Sequence, residues 1–299
     1  MHLSPFPASL KKIGICSPSK LPDPGELQAG LNLIHSYGIE TVCAENILTA
    51  GEEDYFGGSD ITRANDLNSL IRDDSIQLIL CSRGGYGAAY LPGLIDWDLL
   101  RKRNLPICGY SDITALHLAM MSQHAGCPVM TPMVKHIPVL DGFTTKYMKR
   151  AIACALGESC PPETLPLQPL TTLTRQITAP LVPVNLSLLI SYCGTPWMPD
   201  LRNTIIAVED VDEEPRKIDR MMLQLELAGI IRNAAAIIIG SFSGDCGSDD
   251  EKMRIFRRFS KRNPDTPFLT GLPFAHCIPS FSFVAGQQIT ITTTAQISF

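Results

Sequence analysis

The sequence has no C-x-x-C pair and no Cys/His cluster at zinc-ligand spacing, although it contains 10 cysteines. Scattered single cysteines exclude a zinc ribbon or finger, and a chain of 299 residues does not need a disulfide scaffold. Buried reduced thiols of a cytosolic protein account for them. Basic residues are not in excess: 25 Lys and Arg stand against 30 Asp and Glu, a formal net charge of -5. A nucleic-acid binder normally carries a basic stripe, so that class is disfavoured, while a local basic pocket stays open. No apolar run approaches the length of a membrane span. The stretch before Ile13 lacks the apolar core of a signal peptide. The protein is therefore expected in the cytoplasm, with neither a membrane nor a nucleic-acid partner. The dinucleotide and P-loop glycine signatures are absent, and so are internal repeats.

What is present reads as a globular α/β chain. Hydrophobic residues make up 45% and charged residues 18%, enough apolar surface for two domains. Strand signals at Lys12–Cys16, Ile39–Ala44, Leu78–Cys81, Leu105–Cys108 and Met130–Val134 alternate with other elements. Helix patterns cover Leu27–Tyr37, Asp60–Arg72 and Thr144–Leu156, and 54–58 reads as loop. In the second of these helices Ile61, Leu67, Leu70 and Ile71 are read as inward. Such alternation predicts a parallel sheet with helices on both faces, with ligands at the carboxyl ends of its strands. Over 157–173 the composition shifts to Pro, Thr, Glu and Leu with weak periodicity. The expected organisation is an N-terminal domain over 1–156, a linker over 157–173 and a smaller C-terminal α/β domain over 174–299. In the latter, a helix starts near Asn185–Ser187, a strand over Thr204–Val208 ends at Glu209–Asp210, and a helix covers Lys217–Leu227. A strand follows at Ala235–Gly240, then Phe268–Phe274 leads to a loop at 275–277, and Gln288–Phe299 reads as a strand.

The chain is organised around Leu78–Met121. Two short apolar runs end in turns there, one at Arg83-Gly84-Gly85-Tyr86-Gly87 and one at Gly109-Tyr110-Ser111-Asp112. Ser111 stands where a strand passes sharply into a helix, the setting of a nucleophile elbow, although Ile113 replaces the usual second glycine. Asp112 lies in the first turn, where a negative charge suits the helix dipole. The free N–H groups there suit an oxyanion or a carboxylate. The residues equally allow Ser111 to be a helix cap and the glycines to be a tight connection.

Arg83–Gly87 with Leu94-Ile95-Asp96, and Gly109–Thr114, resemble the LD-carboxypeptidase family of serine peptidases. That family includes muramoyltetrapeptide carboxypeptidases and microcin C immunity proteins. Asn185-Leu186-Ser187, Gly194-Thr195-Pro196, Val208-Glu209-Asp210 and Ile218-Asp219-Arg220 extend the likeness from about Ile13 to Gln287. The resemblance implies a flavodoxin-like N-terminal domain and a catalytic triad of Ser111, Glu209 and His276. It implies an oxyanion hole from the backbone N–H groups of Gly85 and Asp112. Arg83 is a candidate for a substrate carboxylate, and structural pairing of Arg83 is the alternative. Asp210 and Asp212 lie close enough to rival Glu209, and the sequence does not choose among them. The chain departs from the family at Ala275 and Cys277, which flank His276 where glycines are usual, and at Pro183 and Val184.

The implied activity is a serine carboxypeptidase of peptidoglycan recycling that releases the terminal D-Ala of a muropeptide. It is expected to use no cofactor and no metal, and to form a homodimer. The alternatives are an immunity-type hydrolase of peptidyl or aminoacyl nucleotides, and a peptide-binding protein weakened in catalysis.

Overall fold

Short apolar runs of the first half become the parallel strands β1 (Lys12–Cys16), β2 (Glu40–Cys43), β3 (Leu78–Cys81), β4 (Pro106–Gly109) and β5 (Cys127–Met130). The computed structural model describes residues 3–53 and 55–299, so Asp54 of the expected 54–58 loop lies outside it. Among the described residues the chain divides into two units. The first holds residues up to Cys160, Pro196–Pro199 and Ser282–Val284, and the second holds Pro161–Thr195, Asp200–Phe281 and Ala285–Phe299.

In the first unit the sheet order is β2-β1-β3-β4-β5, closed by an antiparallel edge strand at Phe283–Val284, β12 in chain order. This is the doubly wound, flavodoxin-type order. Its helices are α1 (Pro24–Ser36), α2 (Asp60–Arg72), α3 (Trp97–Arg103), α4 (Thr114–Gln123) and α5 (Gly142–Ala155). Ile13, Ile15, Leu78 and Leu80 pack with Leu27 and Ile34 of α1 and with Met148 and Ile152 of α5. Gly14 points to the other face, where a side chain would meet Leu70 of α2 and Ile76 beyond its end. Helices therefore cover both faces, as the alternation requires.

Two local expectations fail here. Ile61 is 64% exposed, because at 3.6 residues per turn it lies opposite Leu70; Arg63 takes an inward position at 2%. The strand expected at Met130–Val134 ends at Met130, and Val134 opens a 3₁₀ turn over Val134–Val139.

The second unit is built on a mixed sheet of β6 (Thr164–Pro166), β7 (Gln168–Pro169), β8 (Ile177–Asn185), β9 (Ile205–Val211), β10 (Ala236–Ser243), β11 (Phe268–Thr270), β13 (Gln288–Ile291) and β14 (Gln296–Ser298). Its order is β6-β14-β13-β8-β9-β10-β11-β7, with the β8–β11 pairs parallel. Helices α6 (Leu186–Tyr192), α7 (Pro215–Leu227), α8 (Ile230–Asn233) and α9 (Asp249–Arg262) accompany it. Strands β6 and β7 fall inside the stretch read as linker. Strand β8 escaped the sequence reading because Pro180 and Pro183 argue against a strand interior. Helix α9 escaped because charge dominates it, though a Ser248–Glu251 capping box starts it and Phe256 and Phe259 bury its apolar side. The terminal run is a hairpin of β13 and β14, not one strand. Glu209 and Asp210 are interior to β9, not at its end.

Candidate active site

In the first unit, parallel strands β3 and β4 end side by side, which brings their turns together. Ser111 follows β4 with φ of 64°, a left-handed conformation that is strained for a residue with a Cβ. A 3₁₀ turn over Ser111–Ile113 then leads into α4. The turn is tight because Gly109 lacks a side chain: a methyl group there would lie 2.9 Å from Ile113 Cγ1. The glycine against the serine is Gly84, where a methyl group would lie 2.9 Å from Ser111 Cβ and 3.2 Å from its Oγ. Gly85 is exposed, has φ of 137° and packs by Lys20.

Asp112 is buried at 3%. Its Oδ2 accepts the Ser19 hydroxyl at 2.6 Å and the Ala88 N–H at 2.8 Å. Burial raises its pKa, opposed by these hydrogen bonds and by the Arg63 charge. Its carboxylate thus ties the β1 and β3 turns to the residue after the serine, a task beyond the dipole role read from sequence.

Arg83 is half-buried, and its Nε–H donates to the Gly84 carbonyl at 3.2 Å. Lys135 was not anticipated. Its backbone N–H donates to the Ser82 carbonyl at 3.1 Å. Burial lowers the ammonium pKa, and the Arg83 charge lowers it further. Two cations of one sign near each other suit an anionic group. His136 also stands near the serine turn, but its Nδ1 accepts the Met133 N–H at 3.1 Å while Nε2 meets the Tyr110 hydroxyl at 2.9 Å. The Nε2 proton this tautomer carries leaves it poorly suited as a base.

In the second unit, His276 Nδ1 lies 2.7 Å from Glu209 Oε2. Glu209 is fully buried, and its Oε1 accepts Asn185 Nδ2–H at 3.2 Å. The two rivals are engaged elsewhere. Asp210 accepts Asn185 Nδ2–H at 2.9 Å and the Ser187 N–H at 2.9 Å. Burial, with the neighbouring Glu209 charge, pushes its pKa up to about 6. Asp212 accepts the Asp245 N–H at 3.2 Å and its own N–H donates to the Ser243 carbonyl at 3.1 Å, which ties it to the chain at the end of β10. Asn185 was visible in sequence only as part of a matching block; its amide lies between the two carboxylates.

The loop holding His276 is fixed on both sides. Ser243 Oγ–H donates to the His276 carbonyl at 2.9 Å, and the Cys277 N–H donates to the Ala275 carbonyl at 2.8 Å. Ala275 has φ of 63°, which explains the glycine usual at that place. Burial pushes the Cys277 thiol up, so it is a poor nucleophile. Pro183 and Val184 are buried in β8 opposite Ala207 and Val208 of β9. Among the described residues no three His, Cys, Asp or Glu side chains gather as a metal site needs, and no helix is long and apolar enough to cross a membrane.

The arrangement supplies a strained serine beside bare glycine backbone in one unit and an oriented imidazole in the other. Residues 13–131 match the model of the LD-carboxypeptidase N-terminal domain, and residues 178–291 match that of the LD-carboxypeptidase C-terminal domain. The "Probable murein peptide carboxypeptidase" of Bacillus subtilis (strain 168) is 31% identical over 294 residues, covering 96% of this chain and 91% of that protein. The crystal structure of muramoyltetrapeptide carboxypeptidase from Oxalobacter formigenes has a TM-score of 0.82 at 24% identity, covering 96% of this chain and 97% of that one. Microcin C7 self immunity protein MccF, in complex with aspartyl sulfamoyl adenosine, has a TM-score of 0.83 at 20% identity, covering 100% and 98%. With both domain models matched in order over more than half of its length, the chain belongs to the LD-carboxypeptidase family and is a serine-type carboxypeptidase, a hydrolase.

Proposed function

We propose that the protein releases the terminal D-Ala from a murein tetrapeptide by cutting the bond that follows an L-centre. The observation that carries this reading is the buried Glu209–His276 pair at 2.7 Å, joined to the peptidoglycan substrate class named for the Bacillus subtilis relative. Ser111 Oγ attacks the scissile carbonyl while His276 Nε2 takes its proton. Glu209 holds the Nδ1–H and stabilises the imidazolium as it forms. The N–H groups of Asp112 and of Gly85 receive the oxyanion. The imidazolium then protonates the leaving D-Ala amine, and water, deprotonated by His276, hydrolyses the acyl-serine ester. Arg83 and Lys135 receive the carboxylate of the leaving D-Ala; the mutual repulsion of these cations is relieved when an anion binds. The reaction is assigned to the cytoplasm and to a homodimer, for which light scattering is the direct check.

A second reading, hydrolysis of an aminoacyl nucleotide, rests on the likeness to MccF. A third, binding without turnover, is motivated by Ala275 and Cys277. One experiment separates them. The wild type and Ser111→Ala are incubated with a murein tetrapeptide and with an aminoacyl sulfamoyl adenosine, and products are read by mass spectrometry. Release of D-Ala by the wild type alone is expected. Cleavage of the nucleotide conjugate alone would favour the second reading, and calorimetric binding without product the third.

A further inference from the structure

The backbone of Ser111 has to be held from outside, because φ of 64° is unfavourable for a residue with a Cβ. It stands between two anchored neighbours. On one side Asp112 is fixed to the Ser19 hydroxyl and the Ala88 N–H. On the other side Tyr110 is buried and extended, with φ of -151°. Its ring and hydroxyl reach His136 in the turn that follows β5, a residue to which the proposed chemistry gives no task.

The contact has a defined polarity. The Met133 N–H donates to His136 Nδ1 at 3.1 Å, so a neutral His136 carries its proton on Nε2. That Nε2–H donates to the Tyr110 hydroxyl at 2.9 Å. The two rings lie at 28° to each other with centroids 5.3 Å apart.

The turn that carries His136 is itself immobilised. Val134 and Ile137 are buried. Val134 lies against Gly30 of α1, where a methyl group would sit 2.6 Å from Val134 Cγ1. The Thr131 N–H donates to the Gly109 carbonyl at 3.2 Å, and the Lys135 N–H to the Ser82 carbonyl at 3.1 Å. One short segment thus fastens the turn after β3, which holds Gly84, and the turn after β4, which holds Ser111.

We infer that His136 is a positioning residue, which holds the strained Ser111 in its attacking geometry through the Tyr110 hydroxyl. The inference rests on Ser111 being the nucleophile and adds a residue outside the triad to that reaction. His136 moves no proton in it. Its effect belongs to the transition state, where Ser111 Oγ must be aligned with the carbonyl, and not to substrate binding.

The test reads the serine in two ways on the full chain. A fluorophosphonate reports the reactivity of Ser111 without a murein substrate: the Oγ–P bond forms, the P–F bond breaks, fluoride leaves and His276 takes the hydroxyl proton. Peptide mass spectrometry locates the label and gives its rate. Steady-state kinetics with a murein tetrapeptide gives kcat and KM. Tyr110→Phe and His136→Leu should each slow labelling and lower kcat by about 10- to 100-fold with KM little changed. The double variant should be no slower than either single one, since both remove the same hydrogen bond. His136→Gln keeps an N–H donor for the hydroxyl and should recover most of the rate. Rates are compared at matched folded fraction. Wild-type labelling and kcat in a folded Tyr110→Phe protein would overturn the inference, as would additive losses in the double variant. The two ideas fail separately. Labelling at Ser111 without tetrapeptide hydrolysis removes the murein substrate, and the labelling rates still decide the role of His136. Hydrolysis that Tyr110→Phe and His136→Leu leave unchanged removes the positioning role alone. D-Ala release that persists in Ser111→Ala removes the nucleophile and the positioning role with it.

Discussion

Gly84 presents bare backbone to Ser111, so closely that a methyl group on it would lie 2.9 Å from the serine Cβ. The strained backbone of Ser111 leaves that side chain little room to retreat. Gly84→Ala should therefore displace the Ser111 hydroxyl and lower kcat about 100-fold, since small misplacements of a reacting group have costs of that order. The overpacking should lower stability by about 1–3 kcal/mol. Steady-state kinetics beside urea unfolding checks both; wild-type kcat in a folded Gly84→Ala protein would show that the serine position tolerates the contact.

Glu209→Gln should lower kcat by ~10²–10⁴ with little change in KM. The analogous exchange in another serine peptidase triad lowers kcat about 10⁴-fold. Asn185 already donates to Glu209 Oε1. A Gln carbonyl would keep that bond and turn its amide N–H₂ toward His276 Nδ1, donor against donor, so the imidazole would shift to the wrong tautomer. Asp210→Asn, by contrast, should affect folding more than kcat, because its carboxylate serves Asn185 and the α6 N-terminus. Kinetics of both variants at matched folded fraction decides the point. A Glu209→Gln protein near wild type beside an inactive Asp210→Asn would reverse the assignment.

His117 provides a pH signature. It is buried, its Nε2–H donates to the Ile107 carbonyl at 3.0 Å, and burial lowers its pKa to about 4. An unfolded histidine titrates near 6.5. As pH falls below about 6.5 the unfolded chain takes up a proton that the native state refuses, so stability is lost progressively down to about pH 4. The loss reaches about 3 kcal/mol at most. Asp210, with its pKa raised to about 6, acts in the opposite sense over much of that range, so the readout is the difference between wild type and His117→Gln. Urea unfolding at pH 7 and pH 4.5 should show that difference shifting by about 2–3 kcal/mol in favour of the variant at low pH. A pH-independent difference would mean that His117 titrates normally.

Ala275→Gly should stabilise the His276 loop. Left-handed backbone costs an alanine about 1–2 kcal/mol, and glycine returns part of that gain as chain entropy, which leaves about 0.5–1 kcal/mol. Chemical denaturation measures it directly. A lower midpoint for the variant would show that the alanine methyl group is held by packing that outweighs its backbone strain.

The chain itself determined the parallel sheet of the first unit, because Leu78–Cys81 and its counterparts are short apolar runs closed by glycine turns. It also placed Ser111 at a strand–helix junction and His276 in a loop. Local pattern was silent where long-range packing overrode it. The β8 strand tolerates Pro180 and Pro183, and the apolar Ile61 is left in solvent while Arg63 is buried under Phe56. The choice of acid was beyond sequence for a geometric reason. Glu209 and Asp210 are consecutive in β9, and one nitrogen, Asn185 Nδ2, reaches both carboxylates, so spacing along the chain does not say which of them meets the imidazole. Which face of β9 receives His276 depends on the register of β8, β9 and β10 and on the return of the chain after β11. Those are contacts between residues far apart in sequence. Only the tertiary structure gave Glu209 to His276 and Asp210 to Asn185 and Ser187.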